Sequence, residues 1–124
     1  MTVLIDSDIL IEVAKGKDQN IVSRWKELSE SDNRILCSPV TVAELWAGAR
    51  AKEHEMLKNL FRVLTCVPID AETGRQAGNY LHRFRKSHGL ELGDAFVASA
   101  ALMTSAALWT RNSKHYPMKD LKLF

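Results

Sequence analysis

Residues Glu91 to Asn112 read ELGDAFVASAALMTSAALWTRN, and between Leu92 and Trp109 the only charge is Asp94. Apolar residues all around a helical segment, rather than along one stripe, imply a helix buried on most sides. An ionised carboxylate drawn into such a place is costly unless it is paired, hydrogen-bonded or bound to a cation. Val97 and Ala98 stand one turn on, so the helix itself offers Asp94 no counter-charge. Gly93-Asp94 is equally a helix opening, with Asp94 as the N-cap. The choice between cap and ligand rests on the other acids.

Working outward, Ala107 to Trp109 reads as a short buried strand closing the stretch, and Leu121 to Phe124 as a further edge strand after a turn. Thr2 to Ile5 is a β-rich run that stops at Asp6. It leads through Asp6-Ser7-Asp8 into a helix for which Asp8 is the expected N-cap and Gly16 the stop. A helix over about Asn20 to Ser29 buries Ile21, Val22, Trp25 and Leu28. Arg34 to Cys37 reads as the second strand, and Ser38-Pro39 opens a helix whose stripe is Val42, Leu45, Trp46 and Ala49. Glu44 lies opposite that stripe, in what reads as the helix's first turn, and completes a capping box with Thr41. After an amphipathic helix around Leu57 to Leu64, Cys66 to Ile69 reads as a third strand and Asp70 as the cap of a helix ending at Ser87-His88-Gly89. Strands alternating with helices predict an α/β fold: three α/β/α layers around a central, mainly parallel sheet of four to five strands.

The 124 residues are expected to form one domain, since a chain of this size buries roughly two-thirds of its unfolded surface. Cys37 and Cys66 have no metal-site or C-x-x-C spacing and are expected to be buried free thiols. No basic leader with an apolar core opens the chain, and the Leu92 run is broken by Gly, Asp, Ser and Thr, so a cytoplasmic protein without a membrane span is expected. Residues 1–72 carry 9 Lys and Arg against 12 Asp and Glu, and residues 73–124 carry 8 against 3. The positive second part is compatible with a polyanionic partner.

Ligands of open parallel sheets bind beyond the carboxyl ends of the strands. The topology places Asp6, Glu44, Asp94 and the segment Thr110 to His115 on that one rim. Converging carboxylates raise one another's pKa unless a cation neutralises them, and oxygen-rich clusters suit Mg²⁺ or Mn²⁺. Such ions assist phosphodiester hydrolysis. Each acid also has a plain structural use: Asp6 ends a strand, Glu44 closes a capping box, and Asp94 caps a helix. Glu12 reads as paired with Lys15 at i+3, and His115 first as a loop histidine. Arg111 and Lys114 follow the rim and are candidates for phosphate contacts, with Arg83, Arg85 and Lys86 as an extension of that track.

In order and spacing, the segments LIDSDILI, TVAELWAGAR, LGDAFVASAAL and WTRNSKHYP resemble the PIN-domain ribonucleases, in particular the VapC-type toxins of toxin–antitoxin pairs. The resemblance covers nearly the whole chain. It implies a Mg²⁺- or Mn²⁺-dependent endoribonuclease, usually a homodimer, restrained by a small antitoxin that binds near the active site. Asp6, Glu44 and Asp94 match the family's three acids, and Thr110 with Asn112 its T-x-N motif. The family often has a further acid around position 112 or 115. Asn112 and His115 stand there instead, one suited to binding through water and the other to Mn²⁺ more than Mg²⁺, while Asp8 offers a compensating charge. Two other enzyme or signalling classes share parts of the pattern. A haloacid-dehalogenase-type phosphatase would use Asp6-Ser7-Asp8 as its nucleophile motif, and a receiver-like domain would need Asp70 as a phosphoacceptor. A non-catalytic PIN module is the remaining alternative.

Overall fold

The computed structural model describes all residues from Met1 to Phe124. Four strands, β1 (Thr2–Ile5), β2 (Arg34–Cys37), β3 (Thr65–Cys66) and β4 (Ala107–Trp109), form one parallel sheet in the order β3-β2-β1-β4. Six helices connect them: α1 (Ser7–Lys15), α2 (Gln19–Glu30), α3 (Pro39–Gly48), α4 (His54–Arg62), α5 (Ala71–His88) and α6 (Leu92–Met103).

Alternation along the strands assigns the two faces. Leu4, Leu36 and Leu108 pack with Tyr80, Ala98 and Ala101 of α5 and α6. Val3, Ile5, Ile35, Cys37 and Trp109 pack with Ile9, Leu28, Leu45 and Leu57 of α1 to α4. Each residue step along a strand reverses the face, and both faces are covered, so the strands are continuously apolar. The result is the expected three-layer architecture. In α6, six residues from Ala95 to Ala101 are buried, Phe96 being only partly so.

Chain order reverses at β1: β2 and β3 extend to one side of it and β4 lies on the other. That switch point is where ligands of parallel sheets bind. Ile5 and Trp109 are register partners, so the residues that follow them, Asp6 and Thr110, emerge side by side.

Several local expectations are corrected. Asp6, not Asp8, is the N-cap of α1, its carboxylate accepting from the Ser7 N–H. Helix α3 is capped by Ser38 with Pro39 in its first turn, so Glu44 is its sixth residue and no Thr41–Glu44 capping box forms. Asp94 is the third residue of α6 and Glu91 its N-cap. Strand β3 has two residues, Thr65 and Cys66, although the Val67 N–H still reaches the Cys37 carbonyl at 2.8 Å. Pro68 has no N–H to continue the ladder. Leu121 to Phe124 form no strand, only a single parallel bridge between Leu108 and Leu123. Cys37 is buried as expected, but Cys66 is exposed. Gly16 does end α1, at φ 68°, where a side chain would be strained. No helix is long and apolar enough to cross a membrane.

Candidate active site

The site begins with the end of β1. Asp6 Oδ1 accepts the Ser7 N–H at 2.8 Å, while Oδ2 accepts from the Thr110 hydroxyl at 2.9 Å and the Tyr116 hydroxyl at 2.8 Å. Four lone-pair positions exist on a carboxylate, so three donors orient Asp6 firmly without exhausting it. Thr110 Oγ1 in turn accepts the Asn112 N–H at 3.1 Å, which folds the chain after β4 back over the rim.

In the first turn of α1, Asp8 faces the same place. Its Oδ2 accepts the Arg111 N–H at 3.1 Å, whereas Oδ1 is buried and has no hydrogen-bond partner. Burial, followed by the charge of Asp6, holds the Asp8 carboxyl above the ordinary 3.8. Asp94 enters from α6. Gly93, the residue before it, lies so close to α3 that a Cβ there would meet Val40 Cγ1 at 3.3 Å. The absent side chain lets the first turn of α6 settle against α3. Asp94 Oδ2 lies 3.5 Å from the Glu91 N–H that it accepts and 3.8 Å from His115 Nδ1. Burial raises its carboxyl as well, and the Asp6 charge adds to that against the lowering by the Glu91 N–H.

Tyr116 reports the combined field. It is 5% exposed, and its phenol is pushed far up by burial and then by the charges of Asp6, Asp94 and Asp8. All three carboxylates therefore act on one buried hydroxyl. Glu44 stands at the margin of this group: it is exposed, and its Oε1 accepts from the Ser7 hydroxyl at 2.9 Å. Ser7 Oγ also lies 3.3 Å from the hydroxyl of the fully buried Thr41. Glu44 thus connects to Asp6 through the next residue of the chain rather than directly.

On the outer side Asn112 Nδ2 lies 3.1 Å from His115 Nδ1, and both residues are exposed. Arg111 Nη1 pairs with Glu12 Oε1 at 3.1 Å, so Glu12 takes this partner rather than the expected Lys15. Lys114 is exposed. Arg83, Arg85 and Lys86 are exposed near the end of α5, and Arg83 stacks over Phe84 at 4.8 Å. Helix α5 ends only a few residues before α6 begins, which brings that end toward Asp94.

Two contributors escaped sequence reasoning. Tyr116 is a lone aromatic before Pro117, and its contact with Asp6 spans 110 positions. Ser7, between two aspartates, had a signal in that placement, but only the fold shows that it reaches Glu44. Asp70, by contrast, is the N-cap of α5 and accepts from Thr73 N at 2.9 Å and Thr73 Oγ1 at 2.8 Å. No strand precedes it directly, which removes the receiver reading.

The acids do not form a closed cage: no three His, Cys, Asp or Glu side chains are gathered tightly enough to enclose an ion. The donor set nevertheless fits a hard divalent cation. It is made of oxygens, burial and then the charge of Asp6 hold the Asp8 and Asp94 carboxyls up, and one buried oxygen lacks any partner. Beside Glu44 a cavity of about 430 Å³ opens between α1, α3 and α4, lined by Ile11, Leu45, Met56 and Leu57 among others.

Comparisons with known proteins identify the family of this fold. The PIN domain family model matches residues 3–121. Ribonuclease VapC10 of Mycobacterium tuberculosis is 32% identical over 118 residues, covering 94% of this chain and 86% of that protein. Among solved structures, VapBC of Salmonella typhimurium bound to DNA superposes with a TM-score of 0.84 at 18% identity, over 100% of this chain and 97% of that one. VapBC2 of Rickettsia felis bound to a promoter DNA fragment gives 0.81 at 22% identity, over 100% and 98%. The chain belongs to the PIN-domain family, as a relative of the VapC ribonuclease toxins.

Proposed function

We propose that this VapC-type protein is an endoribonuclease that hydrolyses RNA phosphodiester bonds with Mg²⁺ or Mn²⁺, as the toxin of a toxin–antitoxin pair. The crowding of Asp6, Asp8 and Asp94 around Tyr116, with Asp8 Oδ1 left unpartnered, carries the reading. Such an arrangement costs stability, and a cation offsets that cost. Asp6 and Asp94 would hold it, with Glu44 at the margin and Asp8, Asn112 and His115 as further donors.

A bound divalent cation supplies charge to the attacked phosphate and lowers the pKa of the attacking water. The protein's own residues prepare that place. Tyr116 and Thr110 fix the direction of Asp6 Oδ2, and the Glu91 N–H restrains Asp94. Lys114 offers an ammonium to backbone phosphates, and Arg111 is oriented by Glu12 at the same edge. Arg83, Arg85 and Lys86 extend the positive surface along α5.

The restraining partner is a small antitoxin. The apolar cavity beside Glu44 supports this, with Ile11 40% and Met56 38% exposed at its mouth. Large apolar side chains exposed around a cleft mark an interaction surface. A toxin–antitoxin complex from Klebsiella pneumoniae is among the solved structures that share this fold. A homodimer is also part of the reading: Leu92 and Met103, 59% and 44% exposed, lie three turns apart on one side of α6.

The test is cleavage of RNA by the purified chain in Mg²⁺ or Mn²⁺, with and without EDTA. Cleavage that requires the added ion is expected. Cleavage that persists in EDTA overturns the metal-dependent mechanism, and its absence under all conditions favours a binding-only PIN module.

A further inference from the structure

At the same end of the sheet as the acids, but on the β3 side of β1, the only two cysteines of the chain meet. Cys37 and Cys66 are direct register partners at the carboxyl ends of β2 and β3. Side chains of directly paired residues leave the sheet on the same face. Consistent with this, both line a cavity of about 400 Å³ between α3 and α4, with Val42, Trp46, Phe61 and Leu64 as its apolar wall. Lys58 and Arg62 stand at its edge. The two thiols differ in access: Cys37 is 1% exposed, whereas Cys66 is open to solvent.

Paired strands bring Cα atoms to roughly 5 Å, inside the range that a disulfide spans. Cys66 is the last residue of a two-residue strand, and Pro68 follows closely, so its backbone has little ladder to resist a small adjustment.

We propose that Cys37 and Cys66 are a vicinal dithiol that closes to an intrachain disulfide by exchange with an oxidised low-molecular-weight disulfide. Cys66, the accessible thiol, loses its proton and attacks one sulfur of that disulfide. A Cys66 mixed disulfide forms and one small thiolate leaves, taking up a proton. Cys37 then loses its proton and attacks Cys66 Sγ, which forms the Cys37–Cys66 bond and expels the second small thiolate. The protein dithiol is oxidised by two electrons and the small disulfide is reduced to two thiols. Burial, the first cause that pushes the Cys37 thiol up, persists in the mixed disulfide and makes the second step the slower one. The bond sits at the root of α3, one residue before its cap Ser38. This proposal is independent of the nuclease reading.

The experiment incubates the reduced full-length chain with oxidised glutathione and follows intact mass, free thiols and a non-reducing peptide map. The expected result is a monomer lighter by two hydrogens, loss of both free thiols, and a linked peptide joining Cys37 to Cys66. Cys37→Ser is expected to stop at a stable Cys66–glutathione adduct, and Cys66→Ser to remain unmodified while folded. A wild type that stops at the glutathione adduct, that dimerises through Cys66, or that keeps both thiols overturns the proposal. The wild-type result decides even if Cys37→Ser does not fold.

Discussion

Aspartates near the starts of three helices of this molecule stand under opposite conditions. At the start of α5, Asp70 is exposed and accepts both the N–H and the hydroxyl of Thr73, and these bonds hold its carboxyl below the ordinary 3.8. At the rim beyond β1 and β4, Asp94 and Asp8 are half-buried near Asp6, and burial holds both carboxyls above 3.8. Local sequence does not separate these cases, since each acid stands at or near a helix N-terminus. Satisfied hydrogen bonds and solvent make a cap; desolvation beside another acid makes a place for a cation.

The largest expected effect separates the two on activity. Asp6→Asn and Asp94→Asn are each expected to lower RNA cleavage by about a hundredfold or more while circular dichroism remains that of the wild type. Asp70→Asn is expected to leave cleavage unchanged, and equal losses at all three positions would dissolve the distinction. Next comes Tyr116→Phe, which removes one hydroxyl from Asp6 Oδ2. About a tenfold loss in kcat, with the fold intact, is expected from a group that orients a ligand.

Stability against pH sharpens the comparison further. A carboxyl raised in the fold costs stability when ionised, and the cost disappears as pH falls through its raised pKa toward 3.8. A carboxyl lowered in the fold stabilises above 3.8, and that contribution is lost as pH falls through the lowered value. In metal-free buffer near neutrality, Asp8→Asn is therefore expected to raise the thermal midpoint, with the difference from wild type shrinking at pH values near 4. The smallest effect is that of Asp70→Ala, a fall of a few degrees at neutral pH that diminishes in acid. Thermal melts over a pH series measure both.

Much of the architecture was legible because it depends on local patterns. The boundaries of β1, β2 and β4 follow from short apolar runs ended by polar residues, and their helical connections imply a parallel sheet. Strand β3 is shorter than its apolar run, which extends to Ile69, because hydrogen bonding stops near Pro68. Asp6, Glu44, Asp94 and Thr110 could be brought to one rim by topology alone. Their partners could not: Tyr116 and Thr110 reach Asp6 across more than a hundred positions, and Arg111 meets Glu12 only because β4 lies beside β1. The Thr41 to Glu44 pattern suggests the first turn of α3, but Ser38-Pro39 starts that helix and sets Glu44 a turn further on.

The central claim is that Asp6 and Asp94 are held together for a cation. Titration of Mn²⁺ into the metal-free protein, followed by calorimetry, tests it most directly. Saturable binding by the wild type that is lost in Asp6→Asn and in Asp94→Asn, yet kept in Asp70→Asn, is the predicted result. No binding by the wild type, or binding undiminished in the first two variants, would contradict it.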